Sequence, residues 1–267
     1  MRQKPDLTGQ QNRRIRKRIK KILIVLFLMV CTISFLNWRI EGDVFWKPDY
    51  PETDLSEIVD KPALTEEDYH TVFMQTGLAR DAVDALREKK SGSGRITAFE
   101  QYQDDFFSSA DYICRVDVII VHDERMVDKN GELKQGFDIA DLRDGDILIT
   151  KATHSLGWRH GHAAIVVDAA KGGTMEALLL GHPSVLQNVS KWRTYPTFIQ
   201  LRLKDKNADP GKIAAYAKEN LLGVPYGLLT GIPVKAPADI KKTQCAHLVW
   251  YPYKHFGYDL DSDGSWL

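Results

Sequence analysis

From Ile22 to Trp38 no side chain carries a charge, and the run opens Ile-Leu-Ile-Val-Leu-Phe-Leu-Met-Val. At about 1.5 Å of rise per residue, a stretch of about 17 residues is close to the shortest that crosses a bilayer as a helix. The flanks set its direction. The 267 residues carry no net charge, yet the first 21 hold nine Lys or Arg against Asp6 alone, a balance of +8 that leaves −8 for the rest. Basic flanks stay in the cytoplasm, so everything after about residue 40 is expected outside, with Trp38, Phe45 and Trp46 at the far interface. A cleaved signal peptide is the competing reading, but Phe35, Leu36, Asn37 and Trp38 stand where a small-x-small site would be. Cys31 follows Val30, which makes a poor lipoprotein site and leaves an ordinary membrane-facing thiol. The basic stretch Arg13 to Lys21 also suits nucleic acid, but its position directly before an apolar span makes topology the simpler account, and no nucleic-acid partner is expected.

The chain divides by pattern into a basic tail (1–21), the span (22–38), a Pro- and Asp-rich tether (39–62), a helical upstream region (63–141) and a mixed region (142–267). With 43% apolar and 27% charged residues, the composition is that of a folded protein. Thr65-Glu66-Glu67-Asp68 is a capping box, with Leu64 placed to pack on Tyr69. Val72, Phe73, Leu78, Val83 and Leu86 predict two short helices broken near Thr76-Gly77. Ala98 to Phe107 predicts a third, and Val116 to Val121 a strand.

From Leu142 short strands are expected at Asp146–Thr150, Ala163–Val167, Thr174–Leu180 and Phe198–Leu203. Helices return after Asp209-Pro210, with Ile213, Tyr216, Ala217 and Leu221 as a stripe, and near Thr243, with Val249, Trp250, Tyr253 and Phe256 on one side. Strands flanked by helices over this length imply an α+β core.

Three residues in this region carry chemistry. Cys245 follows Thr243, which is able to cap a helix, so the sulfur falls in the first turn, where the dipole favours thiolate. His162 opens a strand after Gly161, whose lack of a side chain leaves access. It is the candidate base. Glu176, on the next strand, is the candidate to hold the other ring nitrogen, with Thr174 two positions earlier as the substitute. On this reading Glu176→Gln lowers turnover and changes thermal stability little. The competing reading makes Cys245 a buried small hydrophobe, or pairs it with Cys114 in a disulfide. His154, His160 and His162 cluster as zinc ligands do, but no Cys or Asp stands at a usual spacing, so neither metal nor cofactor is expected. His247 and His255 are read as surface or packing residues. Asp259, Asp261, Asp263 and Gly264 imitate a calcium loop without its twelfth-position Glu, and a solvated turn is expected.

In the order Gly145-Asp146-Ile147-Leu148, Gly161-His162, Glu176-Ala177, Gly223-Val224-Pro225-Tyr226 and Cys245 followed by Leu248-Val249-Trp250, the chain resembles the permuted papain-like NlpC superfamily, in particular its YiiX/YaeF-like branch. The resemblance covers about half the chain, from Leu142 to Asp263. In ordinary members the Cys precedes the His, and here it follows, as circular permutation produces. The resemblance implies a permuted papain-like fold with Cys245 as nucleophile, His162 as base, Glu176 as orienting residue, and Tyr226 near the oxyanion or substrate; Gln244, beside the nucleophile, joins that group. The family's Cys-Ser-Glu-Leu-Val stands here as Cys245-Ala246-His247-Leu248-Val249, a departure at two positions.

The expectation is a membrane-anchored, extracytoplasmic cysteine hydrolase that cleaves amide bonds, plausibly in peptidoglycan peptides. A lipid ester hydrolase or acyltransferase of the same fold stands beside it, as does a wall-associated scaffold with a silent Cys245. Specificity loops such as Ile232 to Lys242 carry no decisive pattern.

Overall fold

In the computed structural model the chain forms two compact units, Met1–Phe45 and Trp46–Leu267. The structure describes residues 7–41, 47–108, 112–118, 121–155, 158–228, 230 and 240–261, with side chains from 13 to 39 in the first helix. The first unit is one helix, α1 (Leu7–Glu41), of which Arg13–Arg39 is long and apolar enough to cross a membrane. Its apolar side chains, Ile22 to Leu36, are exposed along the whole run. Phe45 and Trp46 lie outside the described residues.

The second unit is α+β. It opens with α2 (Ser56–Val59), α3 (Glu66–Thr76), α4 (Arg80–Lys89) and α5 (Ser93–Phe107). Thr65 caps α3 as expected: its hydroxyl accepts from the Asp68 amide, and the Asp68 carboxylate accepts from the Thr65 amide. Gly77 ends α3 at φ 71°, a left-handed position that glycine takes without steric cost. Leu55, Val59, Val72, Leu78, Val83 and Phe99 form the core of these helices. The expected tether is therefore folded from Leu55 onward. Its buried Leu55 and Val59 fill space between helices, and burying each contributes about 1.5–3 kcal/mol, enough to order a segment without a repeat pattern.

Two antiparallel sheets follow. The smaller has the order β1 (Tyr112–Val118), β2 (Val121–Met126), β4 (Thr153–Ser155), β5 (Trp158–Arg159). The larger runs β8 (Val185–Asn188), β7 (Gly173–Glu176), β6 (His162–Asp168), β3 (Ile147–Thr150), β9 (Ile199–Leu201). The region upstream of residue 142 is thus not wholly helical, because its β1–β2 hairpin pairs with β4 from beyond that boundary.

One face of the larger sheet, through Ile147, Ile165 and Met175, packs on α6 (Pro210–Leu221) and α7 (Cys245–His255), where Ile213, Ala217, Leu221, Leu248 and Tyr253 meet it. The other face, through Leu148, Ala164 and Val166, covers Trp192 and Tyr195 of the 3-10 segment Val189–Thr194 and the residue after it. Asp209 caps α6 by accepting from the Lys212 amide, and Pro210 takes the first position. The Gly-Asp turn ahead of β3 is structural. Buried Asp146 takes both Nε (2.7 Å) and Nη2 (2.6 Å) of Arg202 and the Gln200 amide (2.8 Å), while the Gly145 carbonyl accepts from the Tyr253 hydroxyl. These contacts join β3, β9 and α7.

Candidate active site

His162 and Glu176 meet because of strand register. Ile165 pairs with Met175 and Val166 with Thr174, so the same register sets Glu176 opposite Ala164. His162 stands two residues from Ala164 on the same face, the diagonal neighbour of Glu176. Its Nε2 lies 2.8 Å from Glu176 Oε2. With that nitrogen taken, Nδ1 is left for the thiol, and the imidazole and the Cys245 sulfur are near enough to shift each other's ionisation.

Cys245 is the first residue of α7. The cap is Gln244 rather than Thr243: its Oε1 accepts from the Ala246 amide at 2.9 Å and lies 3.5 Å from the sulfur. Its Nε2 donates to the Thr230 carbonyl at 3.4 Å, so both ends of this side chain are engaged in shaping the turn. Thr243 is fully buried and bonds His247 Nδ1 at 3.1 Å instead. The Cys245 amide itself has no acceptor among the described residues. Tyr226 flanks the site from a bridge to Thr243, half-buried. Burial first, and then the negative sulfur nearby, push its phenol up to about 12, so it is a hydrogen-bond donor at neutral pH.

Electrostatics favour an ion pair. Burial alone lowers the His162 imidazole, but its bonds to Cys245 and Glu176 and their charges outweigh this and raise it to about 9. Burial likewise raises the Cys245 thiol, yet the His162 bond and charge, with the Ala163 and Ala246 amides, hold it below the ordinary value. Each shift favours the charged form, a thiolate beside an imidazolium.

Glu176 is fully buried and saturated. Oε1 accepts from Thr174 Oγ1 (2.9 Å) and Trp192 Nε1 (3.0 Å), and Oε2 from His162 and Lys191 Nζ (2.9 Å). Burial opposes its charge, but the partnership with His162 and Lys191 keeps it well below the usual carboxylate range. The Trp192 indole also stacks under the imidazole, 5.7 Å between centroids at 18°. Thr174, Lys191 and Trp192 thus support the orienting carboxylate. Of these, only Thr174 shows in the linear pattern.

No family model, curated protein or solved structure matches this chain. The site therefore rests on its own geometry.

Gly161 serves a different end from open access. Its φ is +75°, and a Cβ there would lie 2.6 Å from the Thr150 carbonyl oxygen. The glycine lets the chain enter β6 against β3. The three clustered histidines separate: His162 faces Glu176, His160 bonds Ser155 Oγ (2.8 Å) and the Gly161 carbonyl (2.7 Å), and His154 lies on the smaller sheet. His247 is a buried packing residue, and burial pulls it down to about 4. His255 is exposed and stacks on Tyr216 at 4.0 Å. Cys114 and Cys245 form no disulfide. Asp259 accepts from Trp250 Nε1 (3.1 Å) and Lys254, a turn closed by protein donors. Asp263, Gly264 and most of the Ile232 to Lys242 loop lie outside the described residues.

Proposed function

We propose that this chain is a single-pass membrane protein whose extracytoplasmic unit is a cysteine hydrolase with a permuted papain-like core, cleaving amide bonds in cell-wall peptides. One observation carries the reading: a thiol at a helix N-terminus, an imidazole and a saturated buried carboxylate form a chain through Cys245, His162 and Glu176. A cysteine retained only for packing has no need of a raised imidazole or of a carboxylate with four donors.

In the proposed reaction the Cys245 thiolate attacks the carbonyl carbon, and the developing oxyanion accepts from the Cys245 amide, with the Tyr226 phenol as a second donor. The His162 imidazolium gives its Nδ1 proton to the leaving amine as the C–N bond breaks, which leaves an acyl-thioenzyme. Neutral His162 then takes a proton from water, the hydroxide adds to the thioester, and thiolate leaves. Glu176 holds the ring through Nε2 in both halves. The apolar helix Arg13–Arg39 supports anchoring, and the basic residues before its uncharged run from Ile22 support the orientation.

The test is intact-mass labelling of the full chain with an electrophilic thiol probe, followed by a screen of wall peptides and short-chain phospholipids. Labelling at Cys245 with peptide turnover supports the proposal. Phospholipid turnover alone makes the enzyme a lipid hydrolase, and an inert Cys245 makes the unit a scaffold.

A further inference from the structure

A second cluster of chemically active side chains lies on the smaller sheet. Cys114 pairs with Glu124 across β1 and β2, His122 with His154 across β2 and β4, and His154 with Arg159 across β4 and β5. Paired residues in antiparallel strands share a face, and residues 122 and 124 alternate onto the same one. Cys114, His122, Glu124, His154 and Arg159 therefore form one polar patch. Within it the ligand atoms of Cys114, His122 and His154 all lie within 4.8 Å of one another. The two imidazoles are stacked, 4.6 Å apart at 18°.

We infer that Cys114, His122 and His154 form a binding site for a divalent transition-metal cation of the zinc class. One thiolate and two imidazoles are the ligands that borderline cations prefer, and three protein ligands leave a fourth position for water. Tetrahedral zinc, with bonds of about 2.0–2.3 Å, sets its ligand atoms about 3.4–3.8 Å apart, so closure needs side-chain movements of about 1 Å. Each feature of the patch fits. Cys114 is exposed, which gives the cation a route in, while His154 is buried and fixed. Glu124 Oε1 is 3.7 Å from His154 Nε2, the position of an outer carboxylate beside a ligating histidine. Arg159 grips Glu124 through two bonds of 2.7 Å, which commits that carboxylate to its outer place. Binding releases the Cys114 thiol proton to solvent, and the histidines bind neutral. The cation would pin β1, an edge strand of this sheet, to β2 and β4 at once. The linear sequence hides the site, since His154 comes from a strand far along the chain from Cys114 and His122.

The test uses the full chain in detergent with Cys31→Ala and Cys245→Ser, which leaves Cys114 as the sole thiol of three. Cobalt(II) should bind one equivalent with a thiolate-to-metal charge-transfer band, and zinc should bleach it. Zinc affinity, read by competition with a chelating dye, should fall roughly a hundredfold in Cys114→Ser and in His122→Ala, whose side chains are exposed and half-buried and so leave the sheet folded. Absence of the charge-transfer band, or zinc affinity equal to the parent in both variants, overturns the site.

Discussion

Glu176→Gln is the sharpest probe of the arrangement, because it keeps shape while removing one charge and half of the acceptor capacity. His162 stands at about 9 against an ordinary 6.5, which corresponds to about 3 kcal/mol in favour of the imidazolium. Cys245 and Glu176 both supply that preference. Divided evenly, the glutamine removes on the order of 1.5 kcal/mol, about tenfold in the thiolate population that depends on His162 being charged. Alkylation of Cys245 by iodoacetamide, followed by mass spectrometry from pH 5 to 10, reads this without a substrate. At pH 6 the variant should react about tenfold more slowly, and at pH 10, where the thiol ionises without help, the two rates should converge. The fold should suffer too. Each oxygen of Glu176 meets two donors, so either orientation of the amide sets its NH2 against a pair of them. A buried donor left unpaired costs about 1–3 kcal/mol, so the expectation of unchanged thermal stability does not survive the structure. Superimposable alkylation profiles for the two proteins would refute the ion-pair reasoning.

Other outcomes follow from the same geometry. His162→Ala should abolish Cys245 labelling near pH 6 while leaving that of Cys114, which lies on the smaller sheet, unchanged by mass mapping. The raised His162 contributes stability that is complete below about pH 6.5 and fades as pH rises through about 9, whereas the lowered Glu176 contributes stability that is complete above about pH 4.5 and falls away progressively below it; melting temperatures from about pH 2 to 10 should show both limbs, and the alkaline one should vanish in His162→Ala. Gly161→Ala should destabilise by more than the roughly 1 kcal/mol typical of a strained glycine site, because the Thr150 carbonyl must also move, and denaturant midpoints check this. External protease on intact spheroplasts should remove the folded unit; protection of that unit with digestion of the basic tail would reverse the proposed orientation.

Where local chemistry decides structure, it was readable in the sequence. Thr65 and Asp209 announce helix starts, Gly77 a helix end, and alternation marks β3, β6 and β9. Where distant partners decide, it was not. Strand β7 ends at Glu176 although apolar residues continue to Leu180, and β4 and β5 are short polar pieces that exist because β2 pairs with them. Cys245, His162 and Glu176 could be named from residue order, but the saturation of Glu176 depends on Lys191 and Trp192, which belong to no periodic pattern. Thr243 looked the better cap by residue type. Gln244 took the position because its longer side chain reaches the Ala246 amide while Thr243 turns inward to His247.

Arg125 of β2 reaches across to the 3-10 segment behind the larger sheet, bonding the Lys191 carbonyl at 3.0 Å and Thr194 Oγ1 at 2.9 Å, with its guanidinium over the Tyr195 ring. That segment supplies two of the four donors to Glu176. A fragment cut at Leu142, where the motif region begins, would retain Cys245, His162 and Glu176 and still lose the brace behind them. In this chain the minimal inheritable piece of the site is larger than its signature. Recombination that transplanted the motif region alone would carry the reactive residues without the means of holding them.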